Sequence, residues 1–451
     1  MQNSKENNQE TEINQNNEIV IDKNHNKNFG LYIHIPFCDS KCSYCNFVSG
    51  VYDETIKKSY FKALTNEIIS DNYLCKKVPV SSIYFGGGTP SSVKTDYILN
   101  ILKSLRKTYL INENAEISIE CNPCSVEIKK LIEFKNAGFT RISFGAQSFD
   151  DEVLKLLGRR HNASQIFNAV QMAFDAGFEN ISLDFIIGAK KTDLSDFEQN
   201  ILKLKKFGLK HISVYMLMLE NGTKLYSEIQ TGLFKPLSDD ECVNEYNKIV
   251  DLLKNIGFNR YEISNFALKS FECKHNLNYW DCGEYLSFGA SAHSYIKGKR
   301  IEITSDIIEY VNFNEQYKRN KSNSVQPLTK SEIITEVELK PLMKKNLYSI
   351  VEQKSNINEQ DLKNIEESSI YKIEALTKKQ KIEEYIMLSL RTQEGLKISK
   401  LKKLGFDIIK EKQSEIKILI EKNIITKTPS HLFVNERHFG VMNQIILKLI
   451  P

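Results

Sequence analysis

The stretch Leu31-Tyr32-Ile33-His34-Ile35-Pro36-Phe37-Cys38-Asp39-Ser40-Lys41-Cys42-Ser43-Tyr44-Cys45 decides the fold. Its first half is an apolar, strand-like run. Its second half sets Cys38, Cys42 and Cys45 in a C-x3-C-x2-C spacing just beyond that run. Three thiolates so close in sequence can point at one centre, and soft ligands of this kind favour iron-sulfur clusters or zinc. A structural zinc needs a fourth ligand, and none stands at the usual short spacing; His34 is the nearest candidate. A cubane held by three cysteines leaves one iron open to an exchangeable ligand. Three reduced surface cysteines are the plain alternative.

Working outward, strand-like runs recur at Leu31, Ser82, Glu116, Arg141, Ile181 and His211. Between them, segments such as those from Glu152, Ile166 and Phe197 carry apolar residues at helical spacing, and several stop at Gly. Six strand-helix units imply right-handed crossovers and a parallel sheet, as an open doubly wound sheet or a partial (β/α)6 barrel. The barrel is favoured because the first four runs end in candidate site residues: Cys38, Gly86 to Thr89, Glu120 and Gln147. Asp184 interrupts an apolar run and needs a partner there.

The expected organisation is a polar tail over 1–28, the α/β barrel over 29–267, a linking segment over 268–372 and a C-terminal domain over 373–451. RYEISNF from Arg260 reads as a seventh strand, and 297–372 as a helical or loop connection. The last part reads as helix, helix, helix and a short hairpin, a winged-helix-like pattern. Its Lys397, Lys400, Lys402 and Lys403 fit a solvated helix face, and no nucleic-acid partner is expected.

Across the 451 residues, 61 Lys plus Arg against 57 Asp plus Glu leave a formal charge of +4, which argues for no polyanionic partner. Hydrophobic residues at 41% exclude a wholly disordered chain, and nine cysteines, an odd number, exclude a disulfide scaffold. No apolar run suits a membrane span. The tail is Asn- and Gln-rich with several acids, and the first arginine is Arg106, unlike a mitochondrial presequence or a secretory signal. The expectation is a cytoplasmic protein with a disordered tail.

The cysteine spacing after the first strand resembles the radical S-adenosylmethionine (SAM) superfamily. That resemblance implies a [4Fe-4S] cluster on Cys38, Cys42 and Cys45, whose open iron chelates SAM and whose electron cleaves the sulfonium to a 5′-deoxyadenosyl radical. Further motifs, from Leu31 to about Thr392, resemble the oxygen-independent coproporphyrinogen oxidase-like branch and, within it, the HemW-type haem chaperones. By that resemblance Tyr32 and Tyr44 contact SAM near the cluster. The turn Gly86-Gly87-Gly88-Thr89-Pro90 matches the family's glycine motif, in which glycines permit close backbone approach and offer N–H groups to SAM. Glu120 matches the ribose-binding glutamate. Gln147, Arg159 and Asp184 match positions that bind SAM, although Arg159 and Asp184 also read as an ion pair.

One departure separates subgroups. The coproporphyrinogen dehydrogenases carry a further cysteine two residues after the third, where this chain has Phe47, as the chaperone subgroup does. His275-Asn276-Leu277-Asn278-Tyr279-Trp280 fits the H-N-x-x-Y-W motif that the chaperones are proposed to use for haem, with His275 as an iron ligand and the aromatics stacking on the porphyrin. A packed, hydrogen-bonded His275 is the alternative, with Cys273 or Cys282 as thiolate candidates. Cys121 and Cys124 read as part of the SAM loop rather than a redox pair, and His293 as structural. Leu388 to Thr392 resembles the branch's terminal domain, a lid over the site.

The resemblance therefore implies a protein that binds a [4Fe-4S] cluster, SAM and haem and delivers haem to haem-requiring proteins such as membrane-bound respiratory enzymes. The rivals are a coproporphyrinogen III dehydrogenase or other radical SAM enzyme, and a winged-helix nucleic-acid binder carrying the cluster as a sensor.

Overall fold

A computed structural model describes residues 29–70, 78–322 and 370–451, so the polar tail lies outside the described residues. Six strands run in order: β1 (Phe29–Ile35), β2 (Val80–Gly87), β3 (Ile111–Cys121), β4 (Arg141–Gln147), β5 (Asn180–Ile187) and β6 (Leu209–Met216). Between them lie α1 (Glu54–Ser70), α2 (Thr95–Thr108), α3 (Ile128–Ala137), the pair α4 (Asp151–Leu156) and α5 (Ala163–Asp175), and α6 (Leu194–Lys205). Each strand pairs in parallel with the next, so the order is sequential. A doubly wound sheet reverses direction at a switch point; this one never does, and it curls into a barrel wall.

The strands alternate with period two. Leu31, Ile33, Ile83, Phe85, Ile117, Ile119, Ile142, Phe144, Leu183, Ile212 and Val214 belong to one buried apolar core. The intervening residues are polar or small, and they meet one another across strands: Tyr84 with Glu120, Ser143 with Asp184, and Arg141 and Ser182 with His211. The barrel lumen is thus a polar layer, with the hydrophobic core outside it.

The wall is open. Beyond α7 (Lys224–Gln230) and α8 (Asp239–Asn255), β6 takes as its outer neighbour the antiparallel β8 (Asn265–Ala267), itself paired with β7 (Asn259–Arg260). The expected single strand from Arg260 is therefore a broken hairpin, because Glu262 turns out of it to bridge Thr392 in the C-terminal region. Helix α9 (Lys274–Trp280) follows, and β9 (Tyr285–Phe288) pairs in parallel with β1. Strands β10 (His293–Ile296), β11 (Lys299–Ile303) and β12 (Tyr371–Ala375) extend the same sheet in antiparallel fashion. The sheet continues past 267, and the expected helical or loop connection over 297–372, of which 323–369 lie outside the described residues, carries strands at both ends, with α10 (Ile307–Ser322) after β11. Charged residues on β11 and β12 hid them: Lys299, Arg300, Lys372 and Glu374 leave only Ile301 and Ile303 buried on β11 and no residue buried on the edge strand β12.

The C-terminal region has its own core, including Tyr385, Ile386, Leu401, Leu419 and Leu432. Its elements are α11 (Lys378–Ser389), β13 (Leu396–Lys397), α12 (Ile398–Lys403), α13 (Ile408–Glu411), α14 (Gln413–Glu421), the hairpin β14 (Ile425–Lys427) and β15 (His431–Val434), and α15 (Met442–Leu449). It docks on the barrel where the Arg260 guanidinium lies 4.0 Å from the Phe439 ring centre. Lys400 pairs with Asp281 at 2.7 Å. Among the described residues no helix is long and apolar enough to cross a membrane.

Candidate functional site

The C-terminal ends of the strands surround a cavity of about 510 Å³. Cys38, Cys42, Cys45, Tyr44, Gly87, Gly88, Thr89, Glu120, Gln147, Arg159 and Asp184 all line it. The chain from β1 forms the cysteine loop, fastened at several points. Cys38 N–H donates to Gly50 O at 2.9 Å, Ser43 Oγ donates to Leu156 O at 2.7 Å, and Lys41 Nζ donates to Phe47 O at 2.6 Å. His34, the sequence candidate for a fourth ligand, is buried; its Nε2 lies 3.1 Å from Val48 O and its Nδ1 3.2 Å from the Tyr32 hydroxyl. Its ring braces the loop.

The glycine turn is packed tightly against the protein itself. Added Cβ atoms would lie 3.2 Å from Glu120 Cδ at Gly86, 2.7 Å from the His34 ring at Gly87 and 2.6 Å from Phe37 O at Gly88, so the turn has room for no larger residue. The donors, however, are committed inside the protein. Gly88 and Thr89 N–H groups donate to Ile35 O and Phe37 O, both at 2.8 Å, and Gly87 N–H serves Glu120. The turn anchors the cysteine loop, and Thr89 Oγ1 lies 3.5 Å from Cys38 Sγ.

Glu120 accepts a hydrogen bond from the Tyr84 hydroxyl at 2.9 Å. Burial, aided by repulsion from Asp184, pushes its carboxyl up to about 7. Burial also raises the Asp184 carboxyl, against hydrogen bonds from the Ser213 and Ser143 hydroxyls. The partner that Asp184 needs is thus a pair of serines; no ion pair joins it to Arg159. Arg159 instead reaches Gly145 O at 2.8 Å and Cys42 Sγ at 3.3 Å, and its buried Nε has no partner. Gln147 sits at φ 67° beside a register irregularity in β4, which turns it at the cavity wall.

Tyr32 and His275 stand apart from the cavity. Tyr32 lies in the lumen below it, and its hydroxyl is taken by His34. His275 is fully buried. Its Nδ1 is 2.9 Å from Ser82 Oγ and its Nε2 2.8 Å from the Tyr279 hydroxyl. Burial lowers the imidazole to about 3, so the ring is neutral and neither nitrogen is free for iron in this conformation. Cys273 is buried as well, with its thiol donating to Glu116 Oε1 at 3.4 Å. His275 is thus packed and hydrogen-bonded within the fold.

Sequence reasoning missed the lumen residues Tyr84, Ser143, Arg141 and His211, and His161 in the loop between α4 and α5. His161 clamps two strand ends, with Nδ1 at 3.2 Å from Asn122 Oδ1 and Nε2 at 3.0 Å from Ala146 O. The missed sequence sign was alternation within each strand: Ser82-x-Tyr84-x-Gly86, Glu116-x-Ser118-x-Glu120, Arg141-x-Ser143-x-Gly145 and Ser182-x-Asp184.

The site suits a thiolate-held cluster with an adenosyl ligand. Three thiols share one wall, an unpartnered Arg159 N–H stands beside them, and two half-buried carboxyls, both raised by burial, face the same space. Among the described residues no three His, Cys, Asp or Glu side chains gather at the spacing of a single metal ion.

The Radical SAM superfamily model matches residues 32–204. The chain is 33% identical over 348 residues to "Heme chaperone HemW" of Buchnera aphidicola subsp. Schizaphis graminum, covering 74% of this chain and 88% of that protein. It is 34% identical over 281 residues to "Heme chaperone HemW" of Bacillus subtilis, covering 62% and 74% respectively. Its fold is similar to that of the coproporphyrinogen III oxidase HemN of Escherichia coli, with a TM-score of 0.70 at 20% identity over 94% of this chain and 90% of that one. Sequence likeness over most of the length, with the cysteine loop and barrel in place, shows that this chain belongs to the HemW family of radical SAM proteins.

Proposed function

We propose that this protein is a haem chaperone, which binds a [4Fe-4S] cluster, SAM and haem and delivers haem to haem-requiring proteins. Cys38, Cys42 and Cys45 would hold the cluster, and Glu120, Gln147, Arg159 and Asp184 the SAM beside it. When bound, the cluster supplies one electron and an open coordination position. The protein's own groups orient the nucleoside: the Glu120 carboxyl can receive vicinal hydroxyls, and the free Arg159 Nε–H can donate to a carboxylate or ring nitrogen. The reading places the protein in the cytoplasm and its haem receivers among membrane-embedded respiratory enzymes.

The observation that carries the haem part is the apolar mouth of the cavity. Phe47 is 70% exposed and Met218 71% exposed, and both line the cavity of the three cysteines. Their loops are tied by Asn46 Nδ2 donating to Glu220 Oε2 at 3.4 Å. Large exposed apolar side chains at a cavity mouth suit a flat tetrapyrrole, and Met218 brings a thioether, a known haem ligand type. Titrating the anaerobically reconstituted protein with haem is expected to give a saturable Soret change that Phe47→Ala and Met218→Ala weaken. An anaerobic assay with coproporphyrinogen, SAM and a reductant is expected to yield no decarboxylated product. Absence of haem binding, or product formation in that assay, would overturn the chaperone reading.

A further inference from the structure

The H-N-x-x-Y-W motif occupies the opposite end of the barrel from the cysteines. Glu116, on the lumen side of β3, receives the N–H groups of Lys274 and His275 at 3.1 and 3.3 Å and so caps α9 at its first turn. This fixes His275 beside Gly30 and Ser82, near the starts of β1 and β2; a Cβ on Gly30 would lie 3.1 Å from the imidazole. There three rings gather in the lumen, with His275 also 6.5 Å from Tyr32 at 27°. His275 stacks on Tyr84 with centroids 5.2 Å apart and planes at 24°, and Tyr84 stacks on Tyr32 at 6.2 Å and 18°. The Tyr84 hydroxyl, at the top of its ring, donates to Glu120 at 2.9 Å.

We propose that His275 is a positioning residue: by backing the Tyr84 ring it sets the Tyr84 hydroxyl, and through it the Glu120 carboxylate that faces the adenosyl ligand. This rests on Glu120 contacting the nucleoside, as proposed above, and not on haem binding. The geometry leaves Tyr84 few alternatives. Its ring packs against both His275 and Tyr32, which also pack against each other, and His275 is itself pinned through both nitrogens to Ser82 and Tyr279. Removing the imidazole leaves a lumen void into which Tyr84 can tilt, lengthening its hydrogen bond to Glu120.

The test compares His275→Ala, His275→Phe and Tyr84→Phe in the full-length, anaerobically reconstituted protein, with SAM and with free methionine as probes. Methionine shares the cluster-binding end of SAM but lacks the nucleoside. His275→Ala and Tyr84→Phe are each expected to weaken SAM binding about tenfold, the order of one hydrogen bond to a charged group. Methionine binding, iron content and haem affinity should stay unchanged. His275→Phe, which keeps a flat ring behind Tyr84, should recover most of the SAM affinity, and His275→Ala added to Tyr84→Phe should cost nothing more. Undiminished SAM affinity in either His275→Ala or Tyr84→Phe overturns the proposal, as does a loss of haem affinity with SAM binding intact in His275→Ala. Wild-type protein that fails to bind haem would overturn the chaperone reading alone.

Discussion

Each cysteine of the loop faces one cavity, and no other described cysteine lines it except Cys121 and Cys124. Replacing Cys38, Cys42 or Cys45 by Ser is expected to abolish the cluster's visible absorbance and most bound iron after anaerobic reconstitution; Cys121→Ser should retain both. Glu120 carries a second prediction. Its carboxyl is raised from 4.5 to about 7 in the fold. The native state therefore holds a proton that the unfolded chain has released between those values, and the carboxyl costs stability increasingly as pH rises through this window. Glu120→Gln is expected to stabilise the cluster-free protein on the order of 2 kcal/mol at pH 8 and hardly at all at pH 4.5, read from denaturant curves at both pH values. Equal shifts at both would refute the assignment. Glu120 was legible as a site residue from its strand-end position; its protonation was not, because Tyr84 and Gly87 come from β2 and Asp184 from β5.

Among elements, the turn after β2 and the loop after β1 act as a unit. Gly88 shows why: a methyl group there would come within 2.6 Å of Phe37 O and 2.9 Å of Phe37 N, backbone atoms next to Cys38. Gly88→Ala is expected to cost about 1–3 kcal/mol through overpacking and to lower iron incorporation, measured by thermal unfolding and iron analysis. Normal iron content at reduced stability would show that the loop tolerates the shift. The triple glycine was visible in sequence, whereas the acceptors of its turn's N–H groups were not. Donors in a turn go to whichever acceptor lies opposite, and here β1 lies opposite. Helix α9 teaches the same lesson. Its residues were recognisable as a motif, whereas its place beneath the lumen follows from Glu116 capping it across 158 and 159 positions of sequence.

At the scale of the molecule, the barrel stays open because β6 turns to β8 and β1 to β9, and the C-terminal region docks near that seam. Arg260 is central to the docking: it is buried, its guanidinium stacks on Phe439, and its Nη2 donates to Glu436 O at 3.3 Å. The exposed pair Lys254–Glu436 adds little by comparison. Arg260→Ala is expected to accelerate limited proteolysis between the two regions and to lower stability by about 1–2 kcal/mol, while Lys254→Ala leaves both near wild type. Identical proteolysis of the two variants would shift the docking energy to the apolar contacts.

The sequence by itself determined what is local: three cysteines at cluster spacing, a strand-helix rhythm repeated six times, and strand ends bearing Glu120, Gln147 and the glycine turn. Those features depend on residue type and short spacing, and a chain carries both without folding. Tertiary structure alone decided which lone pairs and protons remain available. His275 loses both nitrogens to Ser82, 193 positions away, and to Tyr279, while Arg159 keeps one N–H unpaired at the cavity. Partnership and burial are set by contacts between distant segments, and those exist only once the barrel has formed around its polar lumen.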